Sequence, residues 1–278
     1  MTVVGTNSTA LRTANASTAA GMMLSSAMER LSTGKRINSA KDDAAGLGIA
    51  TMMTAQIRGI TQGIRNANDG LSLAQTADGA LGEVSNMLQR MRELTVQALN
   101  DTNDTNARGA IKTEMDQLAV QISDTLTNSS FNGTKLFDGS VPTVTIQAGA
   151  NANDQLSIAL GDMLGDATIT AVATGAGSTV DVTAVGFTSA ALTAFDDALS
   201  TISSTRAEMG AMQNRLESVV NNLSTQMLSL TDSRSRIEDA DFSHETTMLA
   251  KAQIISQAST AMLAQANQSQ QGIMKLIS

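Results

Sequence analysis

The chain has no cysteine, no tryptophan and no tyrosine, and only one proline, one histidine and five phenylalanines in 278 residues. Without cysteine there are no disulfides and no thiol chemistry, a finding neutral on redox compartment. A lone histidine with no thiolate cannot build a usual zinc site. With so few large aromatic groups, a compact globular core of this length would be thin. Abundant Ala, Leu, Met, Gln, Ser and Thr instead suit long helices packed side by side, where small residues permit close approach. The net charge of −8 argues against nucleic acid as a partner. No basic segment followed by an apolar one opens the chain, so no cleavable secretory signal is expected. A chain of this kind that leaves the cell does so by another route. Catalytic patterns are missing too. There is no P-loop and no HExxH, and Gly175–Gly177 does not open a Rossmann unit. His244 sits in a turn-like FSHET context with no Ser or Asp motif directed at it. Asp154, Asp162 and Asp166 lack EF-hand spacing and read as solvated loop carboxylates. The expectation is no enzyme, no cofactor and no metal.

Charge is also scarce at both ends. From Ala252 to Met274 there is no charged side chain, and from Met1 to Met28 only Arg12. The last stretch, Thr247 to Ser278, is helix-forming throughout. At spacings of four and three it gives Met248, Ala252, Ile255, Ser259, Met262, Ala266, Ser269, Ile273 and Leu276, a heptad seam with small residues every few places. A charge-poor helix of this kind needs cover on most sides. It is not a bilayer span and no membrane insertion is expected, because Gln253, Gln257, Gln265, Asn267, Gln268, Gln270 and Gln271 interrupt it. The first stretch supplies a match, with Ala20, Leu24, Ala27 and Leu31 again four, three and four apart. Other copies of the chain are the natural remaining cover. The competing reading is two disordered tails rich in Ser, Thr and Asn.

Between the ends, Gly34 is placed to end the first helix. Asn38 and Ser39 are expected helix caps, and Asp42 and Asp43 suit the positive end of a helix starting nearby. The plain reading of Lys35, Arg36, Lys41, Asp42 and Asp43 is a solvated turn. Ala44 to Asn100 reads as a long helix with the seam Ala77, Leu81, Val84, Leu88, Met91, Thr95 and Ala98. Gly59, Gly63, Gly70 and Gly79 weaken it locally. Residues 100–106 (NDTNDTN) are a turn by composition. A second helix, Ala107 to Thr127, carries Ile111, Met115, Leu118 and Ile122 and should run antiparallel to the first. From Ser130 to Gly186 short strands and one or two hairpins are expected, with Asn-Gly and Asp-Gly steps marking tight turns. Helix returns from Ser189, with Arg206, Gln213 and Arg234 at edges of its seam. Ser233 to Ser243 breaks that run.

Several long stretches then become recognisable. ERLSTGKRINSAKDDAAGLGIA from Glu29, RNANDGLSLAQTADGAL from Arg65, LQRMRELTVQ from Leu88, FNGTKLFDG from Phe131, MGAMQNRL from Met209, SRSRIEDADFSHET from Ser233 and MLAQANQSQQGIMKLI from Met262 resemble bacterial flagellin closely. The resemblance covers residues 20–139 and 190–278. It implies a mainly α fold, a long antiparallel helical hairpin or coiled-coil bundle with a small β-rich outer segment. Residues 1–43 with 243–278 would form an inner coiled-coil domain, residues 44–139 with 190–242 a helical rod, and residues 140–189 a short β-rich variable segment. That segment's Ser and Thr side chains are candidate carriers of O-linked glycans.

The function implied is a structural subunit that self-assembles into the helical flagellar filament used for swimming, secreted through the flagellar type III export apparatus. Subunit contacts fall on Leu24, Leu31, Met248, Ile255, Met262 and Ile273. The implied partners are other copies of the chain, a filament cap, the hook–filament junction protein and an export chaperone. The motif LQRxREL further implies contact with a flagellin-sensing Toll-like receptor, through Arg90 and Leu94 and through Glu114 on the following helix. The alternative class is a hook–filament junction protein or a secreted coiled-coil translocator.

Overall fold

The computed structural model describes residues 6–184 and 187–277. Six α-helices account for most of these: α1 (Ser8–Thr33), α2 (Ala44–Ala98), α3 (Thr105–Asn128), the short α4 (Ala167–Thr170), α5 (Ala190–Glu238) and α6 (Phe242–Ile277). Between α3 and α5 lie the strands β1 (Ser130–Phe131), β2 (Thr134–Lys135), β3 (Thr143–Gln147), β4 (Gln155–Ala159), β5 (Ala173–Thr174) and β6 (Gly177–Ser178). The chain forms two compact units, residues 1–56 with 228–278, and residues 57–227.

In the first unit α1 runs antiparallel to α6. Asn7 Nδ2 donates to the Ala266 carbonyl at 3.2 Å near one end, and Arg30 pairs with Glu245 at 3.1 Å near the other. The Asn7 side chain also caps α1, accepting from the Ala10 N–H at 3.0 Å. Gly34, at φ 71°, closes the helix in the left-handed conformation that glycine adopts without a Cβ penalty. The side chains buried between the two helices recur every seventh residue: Thr13, Ala20 and Ala27 on α1, and Glu245, Ala252, Ser259 and Ala266 on α6. These are small except for Glu245, so the backbones approach closely.

The turn after α1 is exposed, as read from the sequence, and it has a partner the sequence did not show: Lys35 and Arg36 clasp the C-terminus of α5. The Arg36 N–H donates to the Glu238 carbonyl at 2.7 Å, Arg36 Nη2 donates to the Ile237 carbonyl at 2.7 Å, and Lys35 pairs with Glu238. The last carbonyls of a helix lack partners and carry partial negative charge; here the Arg36 guanidinium and backbone N–H satisfy two of them, while Lys35 pairs with the Glu238 carboxylate. Capping also falls on different residues. Asn38 and Ser39 donate to Asp42, whereas Asp43 Oδ1 accepts from the Gly46 N–H at 2.8 Å and caps α2. The stretch from Ser233 does not break α5, which continues through Arg236 to Glu238; only residues 239–241 intervene before α6. Asp241 caps α6 by accepting from the Ser243 and His244 N–H groups, so this helix starts five residues before Thr247.

The second unit is built on α2. Its seam is buried at every position read from the sequence: Ala77, Leu81, Val84, Leu88, Met91, Thr95 and Ala98. Ile111, Met115 and Ile122 of α3 join the same core, as do Phe195, Ile202 and Met209 of α5. Two ion pairs fix α5 antiparallel to α2, Arg92 with Asp196 at 2.7 Å and Arg206 with Asp78 at 2.8 Å. Arg206 thus marks an edge of the seam, as its polar intrusion predicted.

Three two-stranded antiparallel hairpins are present among the described residues, where one or two were expected. In the first, Asn132 (φ 49°) and Gly133 (φ 80°) take the paired positive φ values of a tight two-residue turn. The β3–β4 hairpin pairs Thr143 with Ala159 through Gln147 with Gln155, and buries Leu156 and Ile158. It also explains the glycines of α2. Added Cβ atoms would lie 2.7 Å from Ala150 Cβ at Gly59, 2.2 Å from the Ala148 carbonyl oxygen at Gly63 and 3.1 Å from Ile146 at Gly70. These glycines let the hairpin lie against the helix, and α2 runs unbroken across them because that packing outweighs their poor helix propensity.

Candidate assembly and recognition surfaces

Apolar side chains in contact with water are very unevenly distributed. Of the eleven exposed large hydrophobic side chains among the described residues, ten belong to residues 1–56 and 228–278: Leu11, Met22, Met23, Met28, Ile49, Met52, Leu228, Phe242, Ile254 and Met262. Val96 alone lies in the second unit. Two α-helices joined by a small-residue seam have to turn their larger side chains elsewhere. The charge-free lengths of α1 and α6 offer no Lys or Glu to cover them. Large apolar side chains exposed in this number within one unit are candidates for contact with another molecule.

The expected subunit-contact residues fall into three groups. Leu24, Leu31, Met248 and Ile255 are half-buried along α1 and α6. Met262 is exposed. Ile273 lies outside the residues whose side chains are described. The larger members of the spacing-four-and-three seam therefore retain free surface, and the burial within one chain goes to Ala252, Ser259 and Ala266. Sequence reasoning missed Leu11, Met22, Ile254 and Phe242, which lie off that seam. Met22 and Ile254 had a signal in the sequence, as large apolar residues in charge-free stretches; Phe242, flanked by Asp241 and Glu245, had none of that kind.

The receptor motif lies on α2 and α3. Arg90 is exposed and gathers two carboxylates around its guanidinium. Glu114 accepts from its Nε at 3.0 Å and its Nη2 at 2.8 Å, and Glu93 accepts from Nη1 at 3.2 Å. These hydrogen bonds, the Glu114 pair foremost, raise the Arg90 pKa above its ordinary value. Arg90 and Glu114 are thus brought together on one surface. Leu94 is not with them: it is 2% exposed and packs in the core of the second unit. The motif implied contact through both Arg90 and Leu94, but Leu94 sits beside Met91, Thr95 and Ala98 on the buried stripe.

The other candidates serve their own turns. Asp154 accepts from the Asn151 N–H at 3.0 Å, Asp162 from the Gly165 N–H at 2.8 Å and Asp166 from the Thr168 N–H at 2.8 Å. His244 is exposed and uses its backbone N–H in the cap of α6. Among the described residues, no helix is long and apolar enough to cross a membrane.

Comparison with known proteins bears directly on these surfaces. Residues 4–142 match the bacterial flagellin N-terminal helical region, and residues 192–277 match the bacterial flagellin C-terminal helical region. The chain belongs to the bacterial flagellin family. A flagellin of Halalkalibacterium halodurans is 44% identical over 251 residues, covering 90% of each chain. A flagellin of Bacillus subtilis is 42% identical over 281 residues, covering 90% of this flagellin and 91% of its relative. Among solved structures, Bacillus cereus flagellin aligns with a TM-score of 0.51 at 29% identity, covering 57% of this chain and 88% of that one. The stretch left between the two family matches, residues 143–191, holds β3 to β6 of this flagellin.

Proposed function

We propose that this flagellin is the structural subunit of a helical, extracellular flagellar filament used for swimming, and that its terminal helices α1 and α6 form the filament core. The observation that carries the reading is the concentration of exposed large apolar side chains, ten of eleven among the described residues, in the unit that contains both termini. Burying one such side chain contributes about 1.5–3 kcal/mol. Association costs about 4–15 kcal/mol in lost freedom and ordering. Ten such groups, several of them on the charge-poor lengths of α1 and α6, are enough to offset that cost when several neighbours are contacted at once. Flagellin relatives do not favour the alternatives of a junction protein or a translocator. The role is structural, with no catalysis assigned.

The remaining partners follow from the same reading. Export through the flagellar type III apparatus, with a chaperone on the α6 segment, delivers the chain to a distal cap, and the filament begins on the hook–filament junction protein. Arg90 and Glu114, ion-paired on an exposed surface, form a recognition patch for a flagellin-sensing Toll-like receptor, with Leu94 holding the helix beneath them.

Deleting Gln253 to Ser278 tests the assembly reading. The truncated chain should remain soluble and helical yet give no filaments in negative-stain microscopy, while the full chain polymerises on filament seeds. Normal filaments from the truncation would refute the role given to α6. In reporter cells bearing the receptor, Arg90→Ala should lower signalling relative to its parent. Equal signalling from the two removes Arg90 from the patch.

A further inference from the structure

Methionine sulfur is distributed as unevenly as apolar surface in general. Met22, Met28, Met52 and Met262 are 65%, 56%, 68% and 58% exposed, and all lie in the unit containing both termini. In the other unit Met91, Met115, Met163 and Met209 are buried. The chain has no cysteine, tryptophan or tyrosine, the residues that would otherwise intercept a mild oxidant. Its accessible two-electron oxidation chemistry therefore rests mainly on thioethers, and the four most exposed of them, well above Met23 at 37%, sit where copies of the chain are proposed to meet.

We propose that Met22, Met28, Met52 and Met262 are a site of oxidative modification that blocks assembly. Hydroperoxides or hypohalous acids convert the four thioethers to sulfoxides in the free chain, and the oxidised chain does not add to a filament. This rests on the assembly reading above. With hydrogen peroxide, the sulfur lone pair attacks one oxygen, an S–O bond forms and the O–O bond breaks. Proton transfer leaves the sulfoxide and one water; sulfur is oxidised by two electrons and the peroxide is reduced by two. Susceptibility follows exposure, and the product is polar where the thioether was apolar. A sulfoxide on a surface that must leave water has to be desolvated without a prepared partner, which opposes the contact. In the filament the same four sulfurs are covered, so the polymer resists a dose that inactivates the monomer. The change is reversible, because methionine sulfoxide reductases with a thiol reductant return the thioether.

The experiment compares the parent chain with a variant carrying Met22→Leu, Met28→Leu, Met52→Leu and Met262→Leu. Both are treated with hydrogen peroxide as monomers, mapped by peptide mass spectrometry and added to filament seeds. The parent should gain oxygen at the four positions ahead of Met91, Met115 and Met209 and lose seeded growth, while the treated variant still grows. Preformed filaments given the same dose should show little gain at the four positions. Full growth of the parent once the four are oxidised, or equal loss of growth by the variant, overturns the proposal. Should the variant not assemble even untreated, treatment of the oxidised parent with methionine sulfoxide reductase decides: restored growth supports the proposal, and no restoration once the sulfoxides are gone overturns it. If the untreated parent does not grow on seeds, the assembly reading itself fails and takes this inference with it.

Discussion

Gly63→Ala and Gly79→Ala are the same chemical change in the same helix, and they should move stability in opposite directions. At Gly79 a Cβ would meet nothing within 4 Å and the position is exposed. Replacing glycine by alanine in an open helix interior gains about 1 kcal/mol. At Gly63 the same gain is available, but the new Cβ would fall 2.2 Å from the Ala148 carbonyl oxygen and 2.6 Å from its carbon. Both are backbone atoms, so relief requires the β3–β4 hairpin to move off α2 rather than a side chain to swing away. Overpacking of this type costs about 1–3 kcal/mol. Movement of the hairpin also loosens the hydrogen bond from Asn66 Nδ2 to the Gln147 carbonyl, now 2.9 Å, at about 1 kcal/mol. The helical gain does not cover these losses, and the net cost is about 1–3 kcal/mol. For a cooperative unit of this size, each kcal/mol corresponds to a melting shift of about 2–4 °C. Urea and thermal unfolding of the monomer followed by circular dichroism give the sign. Hydrogen exchange over residues 143–159 gives the location, with faster exchange expected only for Gly63→Ala. Equal stabilisation by both substitutions would refute the contact between the hairpin and α2.

Three further outcomes are expected. Ala20→Leu places three more carbons in the small-residue seam between α1 and α6, where Ala20 has no exposed surface; it should cost about 1–3 kcal/mol and speed hydrogen exchange in both helices, and unchanged exchange would count against the seam. Arg206→Ala removes an ion pair whose side chains are 41% and 34% exposed, so its cost should stay within about 1 kcal/mol and shrink at high salt; a salt-independent loss several times larger would contradict that. Asp42, Asp138, Asp166 and Asp181 are held below the ordinary 3.8, Asp42 first by the Ser39 N–H and the others first by the hydroxyls of Ser140, Thr168 and Thr183. A folded pKa below the unfolded one means their stabilisation is complete above about pH 4 and is lost as pH falls through the folded values. The melting temperature should therefore drop on acidification below that pH, and Asp42→Asn should make the drop shallower; an identical slope would leave Asp42 without a part in it.

Sequence periodicity was a good guide where one chain supplies both sides of a contact. The α2 seam from Ala77 to Ala98 could be read directly, since α3 and α5 bury all of it within the same molecule. The low helix propensity of the α2 glycines was legible, but not what compensates it at Gly59, Gly63 and Gly70, because propensity is local and the hairpin against them lies about eighty residues downstream. The partners of Lys35 and Arg36 were out of reach for the same reason: the Glu238 carboxylate that Lys35 pairs with, and the Ile237 and Glu238 carbonyls that Arg36 satisfies, lie two hundred residues away. Leu94 was assigned to a surface on the strength of a motif, and only its neighbours on the helix could place it inside.

The terminal helices reveal why a periodicity can be right and still not say what it faces. Positions four and three apart on α6 were read as one seam, yet a single partner helix buries only alternate ones, Ala252, Ser259 and Ala266, seven residues apart. A two-helix contact built from alanine and serine closes tightly but removes little apolar area, because most of the apolar mass of these helices is carried by Leu, Ile and Met. The seam thus fixes the pairing of α1 with α6 through complementary small surfaces, helped by the Arg30–Glu245 pair. The energy for association is left on the outside, on side chains such as Leu11, Met22, Ile254 and Met262. A mutation that enlarges the seam and one that shrinks those outer side chains should therefore separate: the first opens the hairpin, while the second leaves the hairpin closed and removes the drive to assemble. Leu11→Ser with Ile254→Ser is the second kind. It should leave hydrogen exchange in α1 and α6 near the parent's and still abolish growth on filament seeds. Growth at the parent's rate would mean the exposed apolar groups do not carry the assembly.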